Sequence, residues 1–205
     1  MLKGILRTDL FNCSHLGMTA DDEQDIMHFV IRREEGAGLL DYIQHHAFPE
    51  EDAGMMRTYL VRDNRSGELV AYFSLKAGLI SLNEREIEYL DSETGDKAKR
   101  IVFDTLPGVE LANFAVNDGY IDNHKNLKGV GTVVFNQFVL PLVRRSAEDI
   151  GIKILYIFAL PREKLIARYK EDYGFSRLTD VYEDELHKRL KPFYDDTCIF
   201  MYMIL

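Results

Sequence analysis

The order of sequence patterns around two glycines, Gly129 and Gly131, restricts the fold of this chain more than any other feature. A strand-like run at 109–116 precedes the glycines, a helical pattern at 132–147 follows them, and a continuous apolar run covers 154–160. A strand, a helix and a second strand in this order form a parallel pair with a right-handed crossover. A continuous apolar run is typical of a strand that is covered on both faces. The sequence therefore predicts a parallel strand pair at the centre of a sheet.

The remaining patterns add antiparallel strands and helices around that pair. Two strand-like runs, 57–62 and 68–75, flank a polar turn and predict a hairpin, and 198–205 predicts a closing strand. We therefore expect an α/β (α+β) fold with a mixed, mainly antiparallel sheet, a central parallel strand pair and helices on both faces. No repeat, low-complexity tract or Pro/Gly-rich linker interrupts the chain, which predicts a single domain over residues 1–205.

Less regular segments are assigned from local signals. Acidic residues at 21–23 predict a helix start, and a second helix is predicted to end before Pro49. Pro141 is predicted to kink or shorten the central helix, because proline removes one helical hydrogen bond. The segment 81–100 is predicted to be a charged insertion with a helical portion, and 117–128 a long loop.

The charge balance bears on the class of partner. The chain has a formal net charge of −9 and an isoelectric point near 5.2, which argue against a nucleic-acid-binding surface. A negative field favours a cationic acceptor such as a lysine side chain or a polyamine, although mild acidity is also ordinary for solubility. No run approaches the roughly 20 apolar residues of a membrane-spanning helix, and residues 1–10 lack the apolar core of a signal peptide. We expect a cytoplasmic protein with neither a membrane nor a nucleic-acid partner.

Cysteine and histidine usage predicts neither a disulfide nor a metal site. Cys13 and Cys198 lie far apart and outside any CxxC or CxxH pattern. His45 and His46 are adjacent, and adjacent side chains on a helix point about 100° apart, which is poor geometry for binding one metal ion. We therefore expect no metal cofactor.

The segment 126–132, with the sequence NLKGVGT, predicts an anion site. Two glycines one residue apart allow backbone N–H groups to approach an anion closely, and the following helix adds its positive N-terminal dipole. Lys125 and Lys128 add cationic side chains, so a pyrophosphate is the natural ligand. A glycine turn that only starts a helix is the alternative. A dinucleotide fingerprint requires a third glycine where Val134 stands, and no Walker-type Gly-Lys-Ser/Thr is present.

This loop resembles the pyrophosphate loop of the GNAT superfamily of acetyltransferases, which reads Q/R-x-x-G-x-G/A. Gly129 and Gly131 match both glycine positions, whereas Asn126 stands where Gln or Arg is usual. The resemblance implies a GNAT-like fold and a loop that binds acetyl-CoA, the acyl donor. The residues that the resemblance assigns to acetyl-CoA are Val116, Leu127, Lys128, Gly129, Val130, Gly131 and Thr132.

A second match is the run 110–116, ELANFAV, which resembles the fourth strand of histone-acetyltransferase-type members. In those members a glutamate six residues before the closing aliphatic residue is the general base, which implies this role for Glu110. Strict strand alternation places Glu110, Ala112, Phe114 and Val116 on one face. A partly buried carboxylate there could take a proton from an ammonium group, directly or through water. A charged residue at the exposed start of a strand is the alternative interpretation.

A third match lies where a helical pattern ends before Gly174 and Phe175. GNAT members usually carry a tyrosine, three residues and then Gly-Phe, and that tyrosine protonates the departing thiolate of coenzyme A. Tyr169 stands one residue further from Gly174 than this spacing, and Tyr173 directly precedes the glycine. The resemblance favours Tyr169 as general acid and leaves Tyr173 as the alternative. Both could equally be half-buried packing residues with hydrated hydroxyls.

Together the three matches imply direct acetyl transfer from acetyl-CoA to an amine of a small molecule or a protein. The pantetheine arm is expected where the strand of Val116 diverges from the strand of Ile157, and the Val116 N–H is expected to polarise the thioester carbonyl. A non-catalytic coenzyme A-binding module of the same fold, acting as a sensor or regulatory partner, is the alternative. The closing strand is apolar on both faces, which leaves a homodimer plausible. No motif identifies the acceptor amine.

Overall fold

A computed structural model describes residues 6–190, 192 and 197–205, and for Leu6, 82–85 and Phe103 it describes the backbone only. In this part of the chain the strands are β1 (Leu6–Arg7), β2 (Phe11–His15), β3 (Arg57–Asp63), β4 (Leu69–Leu90), β5 (Lys97–Val116), β6 (Ile154–Ala159), β7 (Ser176–Arg177) and β8 (Ile199–Ile204). They form one sheet in the order β1-β2-β3-β4-β5-β6-β8-β7. Among the described strands only β5 and β6 pair in parallel. The predicted mixed sheet, hairpin, central pair and closing strand are therefore confirmed.

The parallel pair is hydrogen-bonded over a short stretch. Its registered pairs run from Gly108 opposite Ile154 to Glu110 opposite Tyr156. Beyond these residues the described part of the chain contains no further pair between β5 and β6, although both strands continue. The two strands therefore diverge, as predicted, and leave an opening toward their C-terminal ends.

Helices lie on both faces of the sheet. The α-helices of the described residues are α1 (Asp22–Met27), α2 (Ala37–Asp41), α3 (Ala47–Asp52), α4 (Asp118–Asn123), α5 (Val130–Val134), α6 (Leu140–Ile150), α7 (Glu163–Glu171) and α8 (Asp180–His187). A π-helical turn at Tyr42–His46 joins α2 to α3, and another at Phe135–Val139 joins α5 to α6. The crossover between β5 and β6 is therefore a nearly continuous helical run over 130–150.

Both joined runs continue through a proline. Pro49 lies inside α3 and Pro141 lies in the first turn of α6. The predicted helix end before Pro49 is wrong, and Pro141 does not shorten its helix, which extends to Ile150. In each run the wider π turn just before the proline changes the hydrogen-bonding pattern where the missing N–H would otherwise interrupt it.

The segment 81–100 is not helical, which corrects the sequence-based expectation. β4 and β5 continue through it as a two-stranded antiparallel ribbon, paired as far as Leu90 opposite Lys97. Its charged residues lie on facing strands, and Lys99 Nζ is 2.6 Å from Glu86 Oε1. Oppositely charged cross-strand neighbours stabilise a ribbon in the way that i,i+4 pairs stabilise a helix, so composition alone does not distinguish the two.

A β-bulge at Ala112 interrupts the register of β5. Leu111 lies opposite Leu75 and Asn113 lies opposite Ser74, so Ala112 is an extra residue on the β5 side. An extra residue reverses the alternation of side chains beyond it. The bulge therefore determines which side chains of β5 share a face.

The two faces of the sheet are covered by different helices. α5, α6 and α7 cover the face on which Leu111, Phe114 and Val116 pack. The other face is covered by α1, α2 and α3 over one part and by α8 over another, where Tyr156 is buried. Glu110 points to this second face, so its predicted placement on one face with Phe114 and Val116 is wrong because of the bulge. Each large apolar side chain buried in these clusters contributes about 1.5–3 kcal/mol.

Candidate functional site

The glycine loop forms a turn that leads directly into a helix. Gly129 adopts the left-handed conformation, with φ 68°, and directly precedes α5. The first intrahelical hydrogen bond is donated by the Val133 N–H to the Gly129 carbonyl at 3.0 Å. The N–H groups of Val130, Gly131 and Thr132 form the first turn, and such groups have no carbonyl partner within a helix. They are therefore positioned to bind an anion such as a phosphate.

The segment before this loop is held in place by α4 and by a hydrogen bond to the β3–β4 hairpin. The long loop predicted after β5 contains a helix, because the Asn117 side chain accepts a hydrogen bond from the Gly119 N–H at 3.0 Å. The His124 carbonyl then accepts from the Leu127 N–H at 2.9 Å, and His124 Nε2 lies 2.9 Å from Glu68 Oε2. The hydrogen bond from His124 lowers the pKa of Glu68. Anchoring of this kind reduces the entropy that the loop loses when it binds a ligand.

Gly131 is required for the close approach of a tyrosine. A Cβ at Gly131 would lie 3.1 Å from the Tyr173 hydroxyl oxygen and 3.5 Å from a Val116 methyl group. Tyr173 is buried, its ring centroid is 4.6 Å from that of Phe135, and its hydroxyl lies near the Thr132 side chain. Burial is the main cause that raises the pKa of Tyr173. Its protonated hydroxyl therefore lies where the glycine loop meets the C-terminal end of β5.

Tyr169 lies behind Tyr173. Its ring centroid is 5.5 Å from that of Tyr173 and 5.6 Å from that of Phe175, and both contacts are edge-to-face. Burial raises its pKa above the usual range for tyrosine. The geometry thus brings Tyr173 to the glycine loop and gives Tyr169 contacts with aromatic neighbours, while the role of each hydroxyl stays a prediction.

The opening between β5 and β6 exposes one edge of β5. The Asn117 N–H points toward β4, where it donates to the Val70 carbonyl at 2.8 Å. In an antiparallel pair, successive N–H groups point to opposite edges of the strand, so the Val116 and Phe114 N–H groups point away from β4. They face the side where β6 has diverged. This edge offers a strand-like set of hydrogen-bonding groups to an extended ligand.

Glu110 lies on the second face of the sheet, beside the origin of the opening. It is half-buried and pairs across the strands with Lys76 on β4 and with Tyr156 on β6. Burial raises the pKa of Glu110, while the charge of Lys76 and a hydrogen bond from Tyr156 act in the opposite direction. A partly buried carboxylate with a raised pKa is a candidate general base.

The sequence analysis missed Tyr156 and the two glycines that accommodate it. Gly78 and Gly108 lie opposite each other in the β4–β5 ladder. A Cβ at Gly108 would lie 3.1 Å from two ring carbons of Tyr156, and a Cβ at Gly78 would overlap the Tyr156 hydroxyl oxygen. Neither glycine lies in a recognisable motif, because the pair forms only when the strands align. Tyr156 itself lies in the apolar run 154–160, and nothing in that run distinguishes it as a site residue.

The predicted site residues thus lie around one opening, on different sides of it. The glycine loop and Tyr173 are on the first face, Glu110 and Tyr156 are on the second, and the exposed edge of β5 runs between them. At roughly 3.3 Å per residue, four residues from Glu110 to Phe114 span at most about 13 Å. Glu110 and Phe114 are therefore separate positions on one strand, and their side chains lie on opposite faces of the sheet.

Other groups that could carry chemistry are poorly placed for it. Cys13 and Cys198 are buried and are not joined in a disulfide, and burial raises the pKa of Cys13 to about 12, which suppresses its nucleophilic thiolate form. Among the described residues no group of three or more His, Cys, Asp and Glu side chains could hold a metal ion. None of the helices in this part of the chain is long and apolar enough to span a bilayer.

Comparisons with known proteins identify relatives in fold. No protein-family model and no curated protein matches the chain. The structure of AtaTR bound with acetyl-CoA matches with TM-score 0.60 at 18% identity, over 96% of this chain and 94% of that one. A tyrosine-to-phenylalanine mutant of KacT matches with TM-score 0.63 at 16% identity, over 96% and 95%. AtaT complexed with acetyl-methionyl-tRNAfMet matches with TM-score 0.60 at 16% identity, over 95% and 94%.

These neighbours are toxins of the GNAT acetyltransferase fold. The match extends over nearly the whole of each chain, so it includes the helices on both faces as well as the sheet. The GNAT-like fold that the three sequence matches implied is therefore confirmed. At such low identity the likeness concerns the fold, and the chemistry has to be argued from the residues of this chain.

Proposed function

We propose that the protein is an acetyl-CoA-dependent N-acetyltransferase that transfers the acetyl group directly to an amine. The observation that carries this proposal is the opening between β5 and β6. It combines outward-pointing N–H groups of Phe114 and Val116 with the glycine loop at 129–131. An extended, polar donor that carries phosphates would use both the N–H groups along the edge of β5 and the anion-binding loop. A glycine turn that only starts a helix would require neither the open strand edge nor exposed N–H groups.

The residues of the loop fit the pyrophosphate of acetyl-CoA. The N–H groups of Val130, Gly131 and Thr132 would bind the phosphate oxygens, with Leu127 and Lys128 at the side of the loop. Gly131 keeps this surface open, since a larger residue would meet Tyr173 and Val116. The neighbour AtaTR, which has the same fold, is bound with acetyl-CoA. This supports the donor without identifying the acceptor.

Acetyl-CoA supplies the activated acetyl group, and the side chains of this chain move the protons. Glu110 accepts a proton from the ammonium group of the acceptor, so that the amine can act as a nucleophile. The backbone N–H of Phe114 or Val116 polarises the carbonyl that the amine attacks. A tyrosine hydroxyl then donates a proton to the departing sulfur. The position of Tyr173 beside Gly131 and Thr132 supports it for this role over Tyr169.

Two observations bear on the class of acceptor, and they favour different candidates. The segment 21–52, which includes the helices beside the Glu110 face, contains ten acidic residues against two arginines, and this favours a cationic amine of a small molecule or protein. The neighbours AtaT and KacTA are in complexes with acetyl-methionyl-tRNAfMet and with DNA. The expectation of no nucleic-acid partner therefore does not fit the fold relatives, and the amino group of a charged tRNA is the second candidate acceptor.

The test is an assay that follows release of free coenzyme A from acetyl-CoA. One arm offers polyamines and lysine-containing peptides, and the other offers aminoacyl-tRNAs. Acceptor-dependent release in one arm, abolished by Glu110→Gln, is the expected result. Tight acetyl-CoA binding without release in either arm would instead support the non-catalytic module.

A further inference from the structure

Tyr156, a buried neighbour of Glu110, carries a hydroxyl that no sequence motif accounts for. Tyr156 is 2% exposed, and its ring crosses β5 above Gly108 so that its hydroxyl reaches Gly78 on β4. Burial, followed by the charge of Glu110, raises the pKa of Tyr156. Tyr156 therefore keeps its proton at neutral pH, and its hydroxyl is placed to donate a hydrogen bond toward the carboxylate of Glu110, its registered neighbour on β5.

The cross-strand glycine pair leaves the space that the Tyr156 ring and hydroxyl occupy. Gly78 and Gly108 face each other in the ladder, and Lys76 faces Glu110 two residues away on the same side. With any side chain at Gly78, the hydroxyl would have to move away from its present position. Two glycines weaken a strand, so their presence in the middle of β4 and β5 indicates that close approach is needed there.

We propose that Tyr156 is the positioning residue for the proposed general base: its hydroxyl, held over Gly78 and Gly108, fixes the orientation of the Glu110 carboxylate. This inference rests on the proposed function for its catalytic consequence, because the base must be oriented to act. Tyr156 itself does not touch the reacting atoms. Lys76, on the other strand, favours the ionised form of the same carboxylate.

The test uses the pKa of the Glu110 carboxyl, measured by carbon-13 NMR in the free protein. Tyr156→Phe removes the hydroxyl donor and keeps the ring, so the pKa of Glu110 rises. Tyr202→Phe is the matched control, because Tyr202 lies opposite Tyr156 on β8 in the same cluster. It leaves the pKa of Glu110 unchanged. An unchanged Glu110 pKa in Tyr156→Phe would overturn the proposal, and this readout does not depend on any acetyl transfer.

A double-mutant cycle with Gly78 separates positioning from packing. Gly78→Ala displaces the Tyr156 hydroxyl and raises the pKa of Glu110 in the wild-type background. In the Tyr156→Phe background the oxygen is already gone, so Gly78→Ala adds little. Equal effects of Gly78→Ala in the two backgrounds would contradict the inference.

Kinetics give the third readout once an acceptor is known. Tyr156→Phe lowers kcat roughly 10- to 100-fold, as expected when a reacting group loses its orientation, with little change in the affinity for acetyl-CoA. It also moves the acidic limb of the pH profile of kcat to higher pH, in the direction of the Glu110 pKa. A purely structural tyrosine would lower stability without moving this limb. A complete absence of transfer in wild type would contradict the proposed function but not the NMR result.

Discussion

Two pairs of glycines lie on opposite faces of one sheet, and each pair contains a glycine that allows a tyrosine hydroxyl to come close to the backbone. Gly129 and Gly131 lie in a loop, and Gly131 admits the hydroxyl of Tyr173. Gly78 and Gly108 lie on neighbouring strands and admit Tyr156. The first pair is visible in the sequence as a motif. The second pair becomes a pair only through the register of β4 and β5.

The difference shows which kind of site can be recognised from the sequence alone. A loop motif contains its conformation and its ligand groups within a few consecutive residues, so the pattern is sufficient to find it. A cross-strand site is defined by register, and register depends on bulges that no local pattern predicts. Variants on the two sides of the opening therefore test different kinds of statement. Variants of the loop test a prediction from the sequence, and variants of Tyr156, Gly78 and Gly108 test a finding of the structure.

The largest effect is expected at Glu110. Glu110→Gln removes the proton acceptor while keeping the size of the side chain, and kcat falls by about 10²–10⁴-fold, the usual range for a general base. The affinity for acetyl-CoA, measured by calorimetry, stays within a few-fold of wild type. Unchanged turnover would exclude Glu110 as the base.

The two tyrosines near Gly174 come next. Tyr173→Phe lowers kcat about 100-fold, since its hydroxyl lies beside the glycine loop. Tyr169→Phe keeps the aromatic contacts with Tyr173 and Phe175 and leaves kcat nearly unchanged. Steady-state rates at saturating acetyl-CoA distinguish the two. The opposite order of effects would support the assignment of Tyr169 that the sequence resemblance favoured.

The glycine pairs also differ in how they respond to a methyl group. Gly78→Ala overlaps the Tyr156 hydroxyl and lowers the free energy of unfolding by about 1–3 kcal/mol, the usual cost of overpacking. In Gly131→Ala the new Cβ would lie 3.1 Å from the Tyr173 hydroxyl oxygen, and alanine has a higher helix propensity than glycine. We therefore expect a smaller loss in the free energy of unfolding. Gly38→Ala, in α2 with open space around it, is the control and should be neutral or stabilising. Urea unfolding of the three variants measures the order, and a larger loss at Gly131 than at Gly78 would contradict the geometry.

The smallest expected effect is a shift in pH dependence. Burial raises the pKa of Glu110, so the base becomes protonated, and the rate falls, as the pH drops through a value above that of an ordinary glutamate. Activity is therefore retained above that pKa and lost below it. The pH profile of kcat/KM measures the limb, and a limb at or below the usual glutamate range would contradict a desolvated base.

Much of the fold could be predicted from the sequence, because its signals are local. The continuous apolar run that became β6 and the glycine loop before α5 each predicted their structure correctly. The ribbon at 81–100 did not, since its alternating charges suit a helix surface as well as two facing strands. The helix through Pro49 was also missed, because a π turn has no sequence signature.

The candidate site divides in the same way. The sequence identified Gly129, Gly131, Glu110 and the two candidate tyrosines by their resemblance to a family. It placed Glu110 on the wrong face, because one extra residue at Ala112 reverses the alternation of β5. Tyr156 could not be found, because its importance depends on two glycines that are distant from it in sequence.

The most direct test of the account is calorimetric titration of the purified protein with acetyl-CoA, with NAD and ATP as controls. We predict micromolar binding of acetyl-CoA that is lost in Gly129→Asp and in Gly131→Asp, where a carboxylate would occupy the anion site. Gly38→Asp, on an exposed helix, should bind like wild type. A well-folded wild-type protein that does not bind acetyl-CoA would contradict the account, because the glycine loop would then be only a turn.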